Sequence, residues 1–229
     1  MIELHYKSKI VKAEHWDKLS KDEFIELFRR INTAWYDVEG RLELFKWIEQ
    51  NQNTPVFIIE KLKIKTGKFP WRTVVLGGPK NGLRNITMGQ FLFAEIYYFA
   101  HLRDQITETL NRFIAALYVE KNQPFDETLI NTRAKLLENV IFETRQAIMF
   151  NYGAVRRNMI QNFKYLFPKA NTGTQKAKKK QPVKIPEWEK WMWKLAGGHT
   201  DEDFDKIARS LARNVLKQID TLIYESTQK

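Results

Sequence analysis

The sequence predicts a mainly α-helical protein, a multi-helix bundle around one long central helix with little or no sheet. The main observation is a capping box at Thr87 and Gln90, where each side chain satisfies an unpaired amide at a helix start. Apolar residues then recur at steps of three and four up to Tyr118, as on one face of a helix. Residues 77–82, just before it, are rich in turn formers that cannot continue a helix or a central strand. We therefore predict a central core helix over about 87–118.

Two further helices are predicted before this segment. Ser20 and Glu23 form a second capping box, and an amphipathic stripe of apolar residues follows it. A second helix is predicted over about 41–50. Residues 5–11 could pair as a short strand, which is the main indication of β-structure near the start of the chain.

Residues 54–76 leave two interpretations open. Thr54-Pro55 suits a helix start, with Thr as the cap and Pro at the first helical position. The lysines that follow alternate with apolar residues, as on a half-buried strand, and Thr66-Gly67-Lys68 can turn a hairpin. We favour a short helix or strand followed by an extended basic arm, and keep a short hairpin within 56–76 as the alternative.

Another long helix is predicted after the central one. Asp126 can cap it, and its apolar stripe continues until Pro168, which forces the helix to stop. Gly153 is a candidate bend or break within this helix. These elements together make a helical core domain over 1–168.

The remainder of the chain divides into a linker and a helical C-terminal part. Residues 169–186 contain lysines, Gly, Thr and Gln with almost no apolar residues, which is typical of a linker. Residues 187–229 predict a short Trp-rich helix and one amphipathic helix that packs on the core. Thr200 caps that last helix, and the acidic residues of its first turn suit the positive end of the helix dipole.

The positive charge of the chain is concentrated in two places. The formal net charge is +11, but residues 61–84 and 164–184 each carry seven basic residues and no acidic one. The rest of the chain therefore has a small negative charge. The lysines suited to contact phosphate or another anion are Lys61, Lys63, Lys65, Lys68, Lys176, Lys178, Lys179 and Lys180.

Nucleic-acid binding is an open but not the favoured interpretation of these lysines. Lysine contacts to phosphate are sequence-independent and sensitive to salt. Base readout normally uses arginine or interleaved aromatic residues, which the tract at 176–180 lacks. We favour a solvated linker for that tract.

The tryptophans of the short C-terminal helix are the main candidates for a partner contact. Tryptophan is enriched at the energetic centres of protein interfaces, which would make Trp188, Trp191 and Trp193 a binding anchor. The alternative is a lid over the bundle. We favour the lid, because two of the three side chains must share one helix face.

Residue types that carry out catalysis or bind metals form no recognisable pattern in this sequence. Cysteine is absent, and the four histidines lie in separate predicted elements without paired spacing. Nucleophile-elbow and phosphate-loop motifs are also missing. We therefore predict no catalytic residue, no metal site and no cofactor, and interpret the chain as a non-enzyme. No segment has the length of a membrane span, and no signal peptide is recognised.

Local patterns spread over most of the chain resemble small proteins encoded in the morphogenesis clusters of tailed phages and prophages of Bacteroides-type bacteria. The patterns lie before the first helix, before the central helix, at the end of that helix, before the linker and before the last helix. In this sequence they are Trp16-Asp17-Lys18-Leu19-Ser20, Gly78-Pro79-Lys80-Asn81-Gly82-Leu83-Arg84-Asn85-Ile86-Thr87-Met88-Gly89-Gln90-Phe91, Ala115-Ala116-Leu117-Tyr118, Phe167-Pro168 and Trp193-Lys194-Leu195-Ala196-Gly197-Gly198.

The resemblance implies a non-enzymatic assembly protein, either a tail-assembly chaperone or a minor head–tail or neck component. It implies other phage structural or tail proteins as partners, with a homo-oligomer as a further option and no membrane. The expected location is the host cytoplasm during assembly, or the virion. The alternative function is a basic nucleic-acid-binding packaging or cargo protein that uses the two lysine-rich segments.

Overall fold

The computed structural model confirms a mainly α-helical protein. It describes residues 2–6, 9–33, 44, 46–48, 50, 54–67, 72–167, 188–197 and 200–228. The α-helices of these residues are α1 (Lys21–Thr33), α2 (Met88–Asp104), α3 (Thr107–Leu117), α4 (Ile130–Leu136), α5 (Phe142–Ile160), α6 (Trp188–Leu195), α7 (Asp201–Arg209) and α8 (Ala212–Thr227).

Two small antiparallel sheets accompany the helices. The first pairs β1 (Ile2–Tyr6) with β2 (Lys9–Ala13), so the expected pairing near residues 5–11 is a hairpin. The second contains β3 (Lys61–Thr66), β4 (Arg72–Gly77) and β5 (Val119–Glu120), in the order β3-β4-β5.

The hairpin alternative for residues 56–76 is confirmed, and the favoured extended arm is wrong. The helix start at Thr54 is also wrong, because its hydroxyl accepts the amide of Val56 at 3.2 Å and the chain stays extended into β3. Gly77 closes the central strand β4, so the turn begins one residue later than predicted.

Side chains from distant elements hold the extended residues that lead into β3. Buried Asn151 of α5 accepts the amide of Ile58 at 2.8 Å and donates to the carbonyl of Val56 at 2.9 Å. The hydroxyl of Tyr118 donates to the carbonyl of Ile59. These bonds satisfy backbone groups that have no helix or sheet partner of their own.

The predicted central helix over 87–118 is wrong in one respect, because it is two helices. Gln105 takes a left-handed conformation (φ 55°) and Ile106 is extended, which separates α2 from α3. The side-chain Nε2 of Gln90, near the start of α2, donates to the carbonyls of Ala116 and Leu117 at 3.5 and 3.4 Å. The two helices are therefore antiparallel.

The chain gains packing area from this break. A straight helix over the whole segment would be about 45 Å long, with much of it beyond the rest of the core. Folding it back lets α2 and α3 bury apolar residues on each other. Leu102 and Ile106, which the periodicity placed on the buried stripe, are half exposed at the turn. His101 Nδ1 lies 2.9 Å from the carbonyl of Ile106 and helps to satisfy the turn.

The helix predicted after Asp126 is also divided. Asp126 accepts the amide of Thr128 at 2.9 Å, which confirms the cap, but a 3₁₀ turn at Leu137–Asn139 and extended Val140 separate α4 from α5. Gly153 does not bend or break α5. A Cβ at this glycine would lie 2.6 Å from the hydroxyl of Tyr98, so the small residue allows α2 and α5 to approach closely.

The last amphipathic helix is likewise two helices. Thr200 accepts the amide of Asp203 at 3.2 Å, which confirms that cap. The break comes at Ser210, whose carbonyl accepts the amide of Met88 at 2.8 Å, and the amide of Ala212 donates to Ile86 at 3.0 Å. This strand-like bridge joins the start of α8 to the start of α2.

The capping boxes predicted at the starts of α1 and α2 are both formed. Ser20 and Glu23 exchange bonds at 2.8 and 3.3 Å, and Thr87 and Gln90 exchange bonds at 3.0 and 3.3 Å. Lys46 to Ile48 of the helix predicted over 41–50 are helical, and the rest of that helix falls largely outside the described residues. The linker at 169–186 is also outside them, so the domain boundaries stay predictions.

Candidate functional site

Three of the predicted anion-contacting lysines lie in a row on β3. Lys61, Lys63 and Lys65 are exposed, whereas Leu62 and Ile64 between them are buried. Because alternate residues of a strand point to the same face, the lysines stand about 6.6 Å apart along the strand. Lys68 and the tract with Lys176, Lys178, Lys179 and Lys180 lie outside the described residues.

The edge of β3 that faces away from β4 carries backbone groups from these same lysines. The amide of Gly78 donates to the carbonyl of Glu60 at 2.8 Å, which identifies that pair as hydrogen-bonded. Paired residues of an antiparallel ladder alternate between hydrogen-bonded and non-hydrogen-bonded pairs. Leu62 and Ile64 therefore bond to β4, and the backbone amides and carbonyls of the three lysines point away from it.

Part of this edge has no partner among the described residues. The carbonyl of Lys61 accepts the ammonium group of Lys21 at 3.1 Å. No described residue forms a hydrogen bond to the edge-facing amides or carbonyls of Lys63 and Lys65. Such unpaired groups are a template for an added strand.

A groove of about 660 Å³ runs beside this edge. Residues 60–63 form one wall, and the start of α1 and residues 139–144 line the rest. The groove has apolar surface at Ile25 and Val140, and Ile141 is 61% exposed. Its cations are Lys21, Lys61 and Lys63, against the acids Asp22 and Glu60. The site therefore combines backbone donors and acceptors, an apolar wall and an excess of positive charge.

The Trp-rich helix is described only in part. Trp193 is half-buried, with its ring centroid 4.8 Å from that of Phe204 in α7. Met192 beside it is fully buried. The side chains of Trp188 and Trp191 lie outside the described residues, so the choice between a lid and a partner anchor stays a prediction.

A buried ion pair that the sequence prediction missed connects α2 to α5. Glu95 is completely buried and accepts from Arg156 Nε at 2.6 Å, from Arg156 Nη2 at 2.5 Å and from the hydroxyl of Tyr152 at 2.8 Å. Burial raises the pKa of Tyr152 well above its usual value, and the charge of Glu95 adds to this effect. Burial also raises the pKa of Tyr98. Arg156 and Tyr152 both donate to Glu95, and the ring of Tyr98 packs against that of Tyr152, which indicates a structural role.

His101 has a hydroxyl partner in the turn between α2 and α3. Its Nδ1 lies 3.3 Å from the hydroxyl of Thr109 and 2.9 Å from the carbonyl of Ile106. The Thr109 hydroxyl also lies 2.6 Å from that carbonyl. Both side chains thus satisfy the turn between α2 and α3, and this geometry gives no sign of an activated nucleophile.

The comparisons with known proteins give no relatives. No protein-family model matches the chain, and no curated protein or solved structure is significantly similar to it. The described residues contain no group of three or more acidic or histidine side chains placed to hold a metal ion. None of the helices within the described ranges is both long enough and apolar enough to cross a bilayer.

Proposed function

We propose that this protein is a non-enzymatic phage assembly or virion structural protein that binds another phage structural or tail protein at the free edge of β3. The resemblance to phage morphogenesis proteins supports the biological setting. The backbone groups of Lys63 and Lys65 that have no partner in the described ranges, beside a groove, support the mode of contact. An extended segment of the partner would add a strand to this edge, where main-chain hydrogen bonds give affinity and side-chain contacts give specificity.

The charges of the edge favour an acidic partner over a second copy of this strand. Two β3 edges would bring the lysines at 61, 63 and 65 of each copy close together, and like charges directly opposite are destabilising. Acidic residues of the partner strand opposite these lysines would each stabilise the complex by about 0.2–1 kcal/mol. The alternate residues of the added strand would face the apolar wall at Val140 and Ile141. The proposed partner segment therefore alternates acidic and apolar residues.

Two substitutions at Lys63 separate strand addition from simple charge attraction. Lys63→Ala removes the charge and keeps the amide, whereas Lys63→Pro removes both. The ladder to β4 does not use this amide, and proline is tolerated on edge strands in that position. A partner carbonyl left unpaired costs about 1–3 kcal/mol, so Lys63→Pro should weaken binding about tenfold beyond the effect of Lys63→Ala. The matched control is Lys206→Ala, which replaces an exposed lysine on α7.

The experiment has two stages. Tagged wild-type and variant chains are recovered from phage-infected cells, and co-purified proteins are identified by mass spectrometry. The partner's acidic segment is then titrated as a peptide against each variant. Co-purification with tail or neck proteins, lost in Lys63→Pro, is the expected result. A chain recovered without any phage-encoded partner, or equal binding by both Lys63 variants, contradicts the proposal.

The stage of assembly is decided by the composition of the purified particle. A tail-assembly chaperone acts in the host cytoplasm and leaves the particle, whereas a head–tail or neck component remains in the virion. Quantitative mass spectrometry of purified virions distinguishes these two roles. Detection at a fixed copy number per particle supports a structural component, and absence supports a chaperone.

A basic packaging or cargo protein is the second candidate, and the lysine row on β3 is the observation that favours it. Regularly spaced lysines can follow a nucleic-acid backbone. On duplex DNA, each lysine that contacts phosphate contributes about 0.9 to the slope of log affinity against log salt. Replacing Lys61, Lys63 and Lys65 together with glutamine should therefore lower that slope by nearly three. An unchanged slope in the triple variant excludes this face as a nucleic-acid site.

A further inference from the structure

Three arginines in the described part of the fold, of which Arg133 and Arg145 are buried and Arg156 is largely so, differ in how their charge is compensated. Arg133 forms an ion pair with Glu120 at 2.7 Å, and Arg156 forms the bidentate pair with Glu95. Arg145 of α5 is only 9% exposed, yet no described carboxylate lies within 4.0 Å of it. Its one described side-chain hydrogen bond runs from Nη1 to Asn111 Oδ1 at 2.6 Å. A buried guanidinium that no described carboxylate contacts is costly, so this side chain requires an explanation.

The unused part of the Arg145 guanidinium has a specific geometry. Nη1 is occupied by Asn111, and buried Nε has no hydrogen-bond partner among the described residues. Nη2 has no described partner either. Nε–H and Nη2–H form the parallel pair of donors that binds both oxygens of a carboxylate, as Arg156 does with Glu95. The edge of Arg145 that lacks a partner is therefore the one suited to a two-oxygen acceptor.

Arg145 lines a cleft of about 650 Å³ between α3, α4 and the start of α5. Asn111, which is also buried, lies beside it, and Arg112 and Lys135 contribute two further cations. The volume is in the range of small-molecule sites. Burial lowers the pKa of Arg145, and the charges of Glu138 and Glu143 offset this effect only in part. A bound anion would offset the free-energy cost that burial imposes on the charged guanidinium.

The charge of the cleft favours an anion with a single charge. Among the lining residues, Arg112, Lys135 and Arg145 carry three positive charges and Glu108 and Glu138 carry two negative ones. Glu143, outside the lining, also acts on Arg145, so no large excess of positive charge remains. Arg112 is already paired with Glu108 at 2.6 Å. A phosphate dianion would therefore bring more negative charge than the cleft compensates. A carboxylate brings a smaller negative charge than a phosphate dianion and matches the planar pair of donors.

We propose that this cleft is a binding site for a carboxylate, which Nη2 of Arg145 contacts directly and Nε contacts once the guanidinium turns toward the cleft. The carboxylate belongs either to a small organic acid or to an acidic side chain of a peptide, and both present the same two oxygens. This site is separate from the β3 edge, so Lys63→Pro leaves it unchanged and either proposal can fail without the other.

Three sets of probes test the site in the full-length chain. Acetate and propionate are compared with chloride at constant ionic strength, and inorganic phosphate is the third anion. A short amidated peptide with one glutamate, together with its glutamine counterpart, represents the peptide source. The readouts are the midpoint of thermal unfolding and the ¹H–¹⁵N signal of Arg145 Nε. Arg145→Lys keeps the charge but loses the pair of donors, and Arg103→Lys, on an exposed arginine, is the matched control.

The expected result is a concentration-dependent rise of the unfolding midpoint and a shifted, slowly exchanging Nε signal with a carboxylate. Binding to Arg145→Lys should be at least tenfold weaker, and binding to Arg103→Lys should be unchanged. A response to acetate and propionate identifies a free acid, and a response limited to the glutamate peptide identifies a side chain. The proposal is overturned if no carboxylate changes the unfolding midpoint or the Nε signal of the wild-type chain more than chloride does. This comparison uses the wild-type chain alone, so it holds even if Arg145→Lys does not fold. Equal carboxylate affinity in Arg145→Lys, or tighter binding of phosphate, also overturns the proposal.

Discussion

Replacing Arg156 with methionine should destabilise the fold by about 3–5 kcal/mol, because it leaves a buried carboxylate without its cation. Glu95 is 0% exposed and accepts three hydrogen bonds, two of them from Arg156 at 2.6 and 2.5 Å. The third, from Tyr152 at 2.8 Å, is the one that remains after the substitution. A single hydrogen bond from a neutral group does not offset the free-energy cost of removing a carboxylate from water. The Cζ atom of Arg156 lies 5.0 Å from the centroid of the Phe99 ring, and methionine can occupy much of the same volume there, so a cavity contributes little.

Urea unfolding at pH 7, monitored by circular dichroism, gives the free energy of unfolding of each variant. The matched control is Arg103→Met, which breaks the pair with Asp104 at 2.6 Å on the surface, where Arg103 is 76% exposed. An exposed pair contributes at most about 1 kcal/mol. The difference between the two variants therefore reports the burial of the partner carboxylate.

A double variant separates the loss of the charge pair from the loss of packing. Glu95→Gln combined with Arg156→Met removes both charges, and removing both partners of a buried pair is close to neutral in many proteins. We expect it to recover most of the stability lost in Arg156→Met. A cost of Arg156→Met no larger than that of Arg103→Met would refute the reasoning. A double variant as unstable as the single one would also refute it.

Three other substitutions or conditions test separate contacts. A Cβ at Gly153 would meet the Tyr98 hydroxyl at 2.6 Å, so Gly153→Ala should be less favourable in the wild type than in a Tyr98→Phe background, where that hydroxyl is absent. In the Tyr98→Phe background it should stabilise the fold by up to about 1 kcal/mol. Thermal unfolding of the wild type, the two single variants and the double variant measures this difference. Thr87→Ala should cost about 1 kcal/mol by removing the cap of α2, and urea unfolding that shows no loss contradicts that role. Burial raises the pKa of Tyr118 and Tyr152 in the folded state above the unfolded value of about 10. The stability that these neutral side chains contribute is therefore fully present below a pH of about 10, and it is lost as the pH rises toward the folded-state pKa values. Unfolding free energies between pH 9 and 11.5 that fall less steeply in Tyr152→Phe are the expected result, and identical slopes contradict it.

The helix starts were predictable from the sequence because caps are local. Ser20 with Glu23 and Thr87 with Gln90 bond across three residues, so four consecutive residues contain all of the required information. The hairpin of β3 and β4 has a similar local signal in the alternation of lysines with Leu62 and Ile64. The helix-start pattern at Thr54 competes with this signal in the sequence, although the chain there is extended.

The helix breaks were not predictable from periodicity because their causes are distant contacts. The break at Ser210 has no proline or glycine, and it exists because the Ser210 carbonyl binds the amide of Met88, 122 positions earlier in the numbering. Gln105 is left-handed without being a glycine. Periods of three and four residues continue across both positions, so the apolar pattern alone predicts uninterrupted helices.

The sequence identified the lysines of the candidate edge but not the edge itself. Which side of β3 is unpaired depends on the sheet order, and β5 reaches β4 from a distant part of the chain. The buried charged residues could be recognised only weakly from the sequence, by their position on an apolar helix face. Glu95 lies four residues after Phe91, on the predicted apolar stripe of the central helix, and Arg145 lies three residues before Ile148, on that of α5. A charged residue on a buried face indicates either a partner inside the fold or a ligand.

Amide hydrogen exchange at single-residue resolution tests the proposed β3 edge most directly. In the free protein, the amides of Leu62 and Ile64 should exchange slowly because they bond to β4, whereas those of Lys63 and Lys65 should exchange rapidly. Addition of the acidic, alternating segment of the partner should slow Lys63 and Lys65 and leave Leu62 and Ile64 unchanged. Slow exchange at Lys63 before the segment is added, or no slowing after it binds, would contradict strand addition at this edge.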